Sequence, residues 1–153
     1  MATEVETWLW YVDRALAAMC AIVSDLGDDL ANRQPDLPGA NSPYALLTHC
    51  CGVMTYWAGE VVADRQIERD RAAEFVAHGP VADLLALVER TRAQLGRDVA
   101  AVEWNAPPRG PVEEEDRDEP AGQSQGGTLL HIYEELSQHL GHMEITRDLL
   151  RAA

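Results

Sequence analysis

The sequence predicts an all-α protein, a four-helix bundle, on the basis of three observations. Apolar residues recur every three or four positions along four long segments, which is the period of a helix with one buried face. No segment alternates apolar and polar residues as a half-buried strand does. The 153 residues, 46% of them hydrophobic and 25% charged, are enough for one domain with a buried core. We therefore expect a single domain over residues 1–153.

The first helix is predicted over about 4–26. Thr3, followed three residues later by Glu6, has the pattern of a capping box at its start. Gly27 is a natural end for this helix, because glycine readily adopts the left-handed conformation that terminates many helices. Residues 28–42, which are rich in Asp, Pro and Gly, are expected to form a loop.

The second helix is predicted over about 43–64, with Ser42 as its cap and Pro43 in its first turn. Residues 65–79, where arginines, acidic residues and alanines alternate, are expected to form at most a short exposed helix. A glycine–proline break then separates this segment from the third helix, which is predicted over about 80–102.

The fourth helix is predicted over about 128–151. A long acidic loop over about 103–126 precedes it, because prolines, glycines and the acidic run at 113–119 do not favour a packed helix. We expect this loop to be solvated and mobile. Its length also permits a crossover connection, so a simple up-and-down arrangement is not required.

Charge and cysteine usage narrow the class of function. The net charge of −14 argues against nucleic acid and membranes as partners, since both require a basic surface. All 12 basic residues are arginines, which excludes lysine Schiff-base chemistry and the lysine of phosphate-binding loops. The acidic N-terminus does not resemble a signal peptide, and the three cysteines form no Cys-x-x-Cys pair. We therefore expect a cytoplasmic protein.

Histidines cluster on two of the predicted helices. His49 lies on the second helix beside its apolar stripe, and the fourth helix carries a polar stripe of His131, Glu135, His139, His142 and Thr146. At about 100° per residue, this stripe falls within one arc that borders the apolar face. Burying several imidazoles and a carboxylate without a partner is costly, so the pattern favours a metal site over unrelated core histidines.

The spacing suggests which side chains would bind the metal. Glu135 and His139 lie one turn apart on one helical face, and His49 would be a third ligand from a facing helix. Two imidazoles and a carboxylate suit zinc, nickel or ferrous iron, and they leave positions open for water or substrate. His131 could orient a ligand, while His142 could replace Glu135 in the shell or act as a base. The motifs of di-iron bundles and of His-Glu-x-x-His zinc proteases are absent.

Two segments resemble a known superfamily. In the segment 37–49, a Pro/Gly loop leads into a helix that bears His49, and a Tyr-Trp pair follows downstream. The segment 131–142 contains the histidine cluster, and Arg147 follows it shortly afterwards. These features are similar to the second and fourth helices of the DinB-like superfamily of metal-binding four-helix proteins. The resemblance is strongest to the mycothiol-dependent maleylpyruvate isomerases and related actinobacterial proteins.

The resemblance implies a site and a reaction class. By motif position, it implies a divalent metal, zinc before nickel or iron, held by His49, Glu135 and His139. It also implies a low-molecular-weight thiol such as mycothiol, a small electrophile as the second substrate, and a homodimer. We therefore expect a thiol-dependent transferase or isomerase in which His142 or His131 moves a proton. Arg147 would hold an anionic group, unless it only forms a salt bridge at the surface.

Two other hypotheses stay open from the sequence. The bundle could be a non-enzymatic, metal-binding stress or interaction module whose acidic loop contacts a partner. Alternatively, the histidines are structural and no metal binds. A protein that contains metal but shows no thiol-dependent turnover would favour the non-enzymatic module. A protein that contains no metal, and whose melting temperature does not change when a chelator is added, would favour structural histidines.

Overall fold

The computed structural model describes residues 1–153, and it consists of helices and loops with no strand, which confirms the all-α class. The α-helices, in chain order, are α1 (Glu4–Ala31), α2 (Pro43–Tyr56), α3 (Arg71–Glu74), α4 (Val81–Asp98), α5 (Pro120–Gln123) and α6 (Gln125–Ala152). A π-helical turn (Trp57–Val62) extends α2, and a 3₁₀ turn (Glu114–Asp116) precedes α5. No helix combines the length and the apolar character needed to cross a bilayer.

The four long helices form the bundle around one apolar core. Helix α1 packs along α6, while α2 packs against both α4 and α6. Each long helix contributes buried side chains to this core, among them Met19, Leu46, Leu84, Leu136 and Met143. Burying a side chain of this size stabilises the fold by about 1.5–3 kcal/mol relative to leaving it exposed. Because α2 and α6 are neighbours, the polar edges of these two helices meet.

Helix α1 starts as predicted but continues beyond its predicted end. The capping box is present, since Thr3 Oγ1 accepts from the Glu6 N–H at 3.1 Å and Glu6 Oε2 accepts from the Thr3 N–H at 2.7 Å. Gly27, with a φ of +68°, interrupts the helix without ending it. The helix resumes to Ala31, which is fully buried, and Asp28 accepts a hydrogen bond of 2.7 Å from the first N–H of α4. Tertiary contacts therefore hold the turn that follows the glycine.

Helix α2 ends in the π-helical turn instead of reaching Asp64, where φ is +57°. Its start matches the prediction, because Ser42 Oγ accepts from the Ala45 N–H at 3.1 Å. A π-helical turn inserts an extra residue into the helix, and such turns are frequent at functional sites. Here the turn places Trp57 edge-on against His131 of α6, with ring centroids 4.6 Å apart.

The segment between α2 and α4 contains the short helix α3 but is not wholly exposed. Glu74, the last residue of α3, is 8% exposed and turns toward α2. Helix α4 then ends at Asp98, earlier than predicted. The buried carboxylate of Asp98 accepts two hydrogen bonds of 2.8 Å from Arg65, and this ion pair ties the end of α4 to the chain that follows α2.

The acidic loop is less irregular than predicted, since it includes the 3₁₀ turn and α5. Helix α6 begins three residues early because Ser124 Oγ accepts from the Gly127 N–H at 3.0 Å. The buried side chain of Gln125 donates to the Pro107 carbonyl at 2.9 Å and accepts from the Glu103 N–H at 3.1 Å. These bonds fasten the first part of the loop to the start of α6.

Gly110 marks a close contact between the loop and the end of α2. Its N–H donates to the Val61 carbonyl at 3.0 Å, and a Cβ at this position would overlap the Glu60 carbonyl oxygen. We predict that Gly110→Ala lowers the free energy of unfolding by about 1–3 kcal/mol, the usual cost of overpacking. Gly141→Ala, where α6 leaves open space around the new Cβ, should instead raise it by about 0.5–1 kcal/mol. Urea denaturation measures both changes, and equal effects of the two substitutions would contradict this prediction.

Candidate metal centre

Helices α2 and α6 bring three metal-binding side chains to one point. His49 of α2 is only 3% exposed, and Glu135 and His139 lie one turn apart on α6. Glu135 Oε2 lies 3.5 Å from His49 Nε2 and 3.4 Å from His139 Nε2. One ligand atom from each residue lies within 4.8 Å of the others. The structure therefore contains a possible metal-binding group made of two imidazoles and a carboxylate.

The spacing of these atoms fits a metal better than it fits hydrogen bonds. Separations of 3.4 and 3.5 Å are long for an N–H···O bond, which is usually about 2.9 Å. Ligands at about 2.0–2.2 Å from a tetrahedral zinc ion lie about 3.4 Å from one another. In addition, Nδ1 of His139 is buried without a hydrogen-bond partner, so no protein group fixes the tautomer of this ring. The three residues thus fit a divalent metal and leave coordination positions open.

Glu135 is ionised in this setting. Its interactions with His139 first, and with His49 second, hold the pKa of its carboxyl well below the usual range. Partial burial acts in the opposite direction but is outweighed. Glu135 therefore offers a negatively charged oxygen to a cation at neutral pH.

A buried carboxylate orients His49 from the other side of the ring. His49 Nδ1–H donates to Glu74 Oε2 over 2.7 Å. Since a carboxylate only accepts, this bond keeps the proton on Nδ1 and leaves the lone pair of Nε2 facing Glu135. Arg69 donates to both oxygens of Glu74, at 2.8 and 3.0 Å, and balances its charge. The imidazole is thus held in the tautomer and orientation that a metal ligand requires.

No pattern in the sequence predicts the role of Glu74 or Arg69, because both lie in a polar segment typical of a solvated surface. One weak signal is Gly52 in α2, where a Cβ would overlap the Glu74 carboxylate. Phe75, the next residue along, stacks on the His49 ring with centroids 4.4 Å apart. These contacts join α2 to α3 around the imidazole.

The other residues singled out from the sequence lie around this group at different distances. His131 packs against Trp57, and its Nδ1 lies 3.5 Å from a carboxylate oxygen of Glu134. His142 stacks beside His139 with ring centroids 6.0 Å apart. Burial, followed by the charge of His139, lowers the pKa of His142, so this imidazole is neutral at pH 7.

Arg147 lies in a different part of the surface. Its Nε donates to Asp148 at 2.8 Å, and this interaction raises the pKa of the guanidinium. It lines a groove of about 510 Å³ together with Asp25 of α1 and Glu144 of α6, apart from the three ligand atoms. The structure does not bring Arg147 together with His49, Glu135 and His139.

A cavity of about 230 Å³ opens beside the ligand atoms and is lined by His49 and Glu135. Its wall is completed by side chains from α2 and the π-helical turn, by charged side chains in and around α3 and the 3₁₀ turn, and by one imidazole of α6: Val53, Tyr56, Trp57, Arg69, Arg71, Glu113, Glu115, Asp116 and His131. The cavity therefore gives a small molecule access to the possible metal site.

The cysteines are not suited to act as nucleophiles. Cys50 and Cys51 are buried, and burial raises the pKa of Cys50 well above its ordinary value and that of Cys51 to about 12. Burial also raises the pKa of the half-buried Cys20 thiol. All three thiols therefore stay protonated at neutral pH, which makes them poor nucleophiles.

Comparisons with known proteins identify a family and a solved structure of similar fold. The family model described as mycothiol-S-transferase matches residues 7–152. A crystal structure described as the conserved protein of locus from Enterococcus faecalis is similar to this chain, with a TM-score of 0.70 and 14% identity over 100% of both chains. At that identity, the similarity shows the fold alone. No curated protein matches the chain.

The contact between His49 and Glu74 yields a prediction for metal affinity. We predict that Glu74→Gln weakens zinc binding by about 10- to 100-fold, because the variant loses the anionic acceptor that orients the imidazole. Glu68→Gln, an exposed position in the same segment, is the matched control and should change the affinity by less than about twofold. Competition with a chromophoric chelator measures both dissociation constants. An unchanged affinity in a folded Glu74→Gln variant would rule out the orienting role.

Proposed function

Because this chain belongs to the mycothiol S-transferase family, we propose that it is a divalent-metal-dependent enzyme that activates a mycothiol-like thiol for attack on a small electrophile. The observation that supports this most is the convergence of His49, Glu135 and His139 beside a cavity of about 230 Å³. Two imidazoles, a carboxylate and open positions are typical of catalytic zinc sites, whereas structural sites are closed by four protein ligands.

In this proposal, His49, Glu135 and His139 hold the metal, and zinc is the first choice for such a donor set. When bound, the cation lowers the pKa of a thiol that reaches it, so that the sulfur is present as a thiolate at neutral pH. Glu74 and Arg69 keep His49 in the tautomer needed for this role. The negative charge of Glu135 favours a cation at the site. The size of the cavity, about 230 Å³, limits the second substrate to a small molecule.

The proposed reaction transfers the sulfur of the thiol to an electrophilic carbon and involves no oxidation or reduction. The thiolate sulfur forms a bond to an electrophilic carbon, and the leaving group departs with its electron pair. His131, which lines the cavity, or His142, which is neutral at pH 7 and stacked beside His139, takes up the proton of the thiol and passes it to the leaving group or to water. Arg147, whose guanidinium is paired with Asp148, lies apart from the ligand atoms and makes no contact with the thiol.

The proposal is tested by metal content and thiol turnover in matched variants. We expect the parent chain and His78→Ala, which alters an exposed loop histidine, to retain about one equivalent of metal per chain. His139→Ala should lose most of the metal and its thiol-dependent turnover, because it lacks a ligand. Plasma mass spectrometry of untagged protein measures the metal, and thiol consumption against a panel of electrophiles measures turnover.

Two outcomes would count against the proposal. Thiol consumption that persists unchanged in His139→Ala would show that the site is not the catalytic one. Metal retained without turnover of any thiol, mycothiol included, would favour a non-enzymatic metal-binding module instead.

A further inference from the structure

The loop before α5 supplies one wall of the cavity. Glu113, Glu115 and Asp116 of this loop line the cavity, and we refer to these three carboxylates as the acidic rim. The same cavity is lined by His49, which is 3% exposed, and by Glu135. The acidic rim therefore faces the space that a thiol must occupy to reach the ligand atoms.

No ion pair balances the charge of the acidic rim, although two guanidinium groups, those of Arg69 and Arg71, line the same cavity. The ion pairs around the cavity join Arg69 to Glu74 and His131 to Glu134, and none includes a carboxylate of the rim. Arg71 lies over the ring of Phe75 at 5.4 Å. The three carboxylates of the rim outnumber the one guanidinium of the wall that no carboxylate pairs, that of Arg71, so the wall carries net negative charge beside the possible cation site.

Aromatic rings form another part of the wall. Tyr56 and Trp57 meet edge to face with centroids 5.4 Å apart and offer an apolar surface next to the rim. The phenol of Tyr56 is close enough to the rim to respond to it. Its pKa is raised first by burial and then by the charge of Glu113, with Asp116 contributing less. Aromatic surface beside carboxylate acceptors suits a ring that carries hydroxyl groups.

We infer that the acidic rim selects the thiol cosubstrate by charge, an inference that rests on the proposed function. Carboxylates accept hydrogen bonds from hydroxyl groups, so the rim suits an uncharged, polyhydroxylated thiol. The rim repels a thiol that carries carboxylates, because like charges within a small cavity raise the free energy of the complex. Mycothiol, whose two rings bear hydroxyl groups and no carboxylate, belongs to the first class, and glutathione belongs to the second.

The test compares these two thiols on a chain whose rim is uncharged. In the rim variant the three carboxylates become amides, which keeps size and hydrogen-bonding capacity: Glu113→Gln, Glu115→Gln and Asp116→Asn. The matched control removes as many charges from the same loop at positions outside this cavity: Glu114→Gln, Asp118→Asn and Glu119→Gln. Isothermal titration calorimetry on the zinc-loaded chains measures the affinities for mycothiol and glutathione, and initial rates with each thiol are recorded in parallel.

We expect wild type to bind mycothiol more tightly than glutathione. The rim variant should bind glutathione about tenfold more tightly than wild type does, with a change of less than about threefold for mycothiol. The control variant should keep the wild-type ratio of affinities. Equal shifts in the rim and control variants would assign the selectivity to net charge and overturn the inference, and so would equal affinity of wild type for both thiols.

Failure of the proposed function gives a different result from failure of the inference. If neither thiol is turned over but the rim variant still gains affinity for glutathione, the proposed function fails and the selectivity of the rim stands. If the rim variant turns over thiols with the same preference as wild type, the inference about the rim fails and the proposed function stands. No binding of mycothiol to wild type would contradict both.

Discussion

A hydrogen bond of 2.7 Å joins the buried imidazole of His49 to the carboxylate of Glu74, and it couples the bundle to its site. The bond links α2 to α3, and Arg69 closes the arrangement by balancing the carboxylate. Removing one partner of such a group leaves a buried charge uncompensated, at a cost of about 3–5 kcal/mol. The same bond turns Nε2 of His49 toward α6, where Glu135 meets it. The arrangement that stabilises α3 against the bundle therefore also prepares a metal ligand.

Local patterns account for what could be predicted from the sequence. The four long helices and the capping box at Thr3 follow from periodicity and cap chemistry, which act within a few residues. Glu135 and His139 share a face because residues four apart lie about one turn apart along a helix. The match to the mycothiol S-transferase family over residues 7–152 confirms the resemblance to the DinB-like superfamily.

The role of Glu74 was not predictable, because it depends on a tertiary contact made from a polar segment. Likewise, the turn after Gly27 is held by contacts with α4 that no local pattern encodes.

The acidic loop before α5 lies against the bundle instead of remaining wholly in solvent. A run of carboxylates in a chain of net charge −14 is expected to remain in solvent. Here the buried side chain of Gln125 and the close approach of Gly110 to α2 hold the loop against the bundle, so part of its charge lines the cavity. In the proposed function, the three metal ligands, the aromatic wall and the acidic rim all contact the same bound molecule, each through a different kind of interaction.

In the proposed function, a thiol sulfur reaches a metal held by His49, Glu135 and His139. X-ray absorption spectroscopy of the zinc-loaded chain, recorded with and without mycothiol, shows which atoms surround the metal. We expect nitrogen and oxygen scatterers alone in the absence of thiol, because the cysteines are not ligands. A new sulfur scatterer at about 2.3 Å should appear once mycothiol is added. Spectra that stay the same on adding saturating mycothiol would overturn the proposed function, since the thiol would then bind away from the metal or not at all.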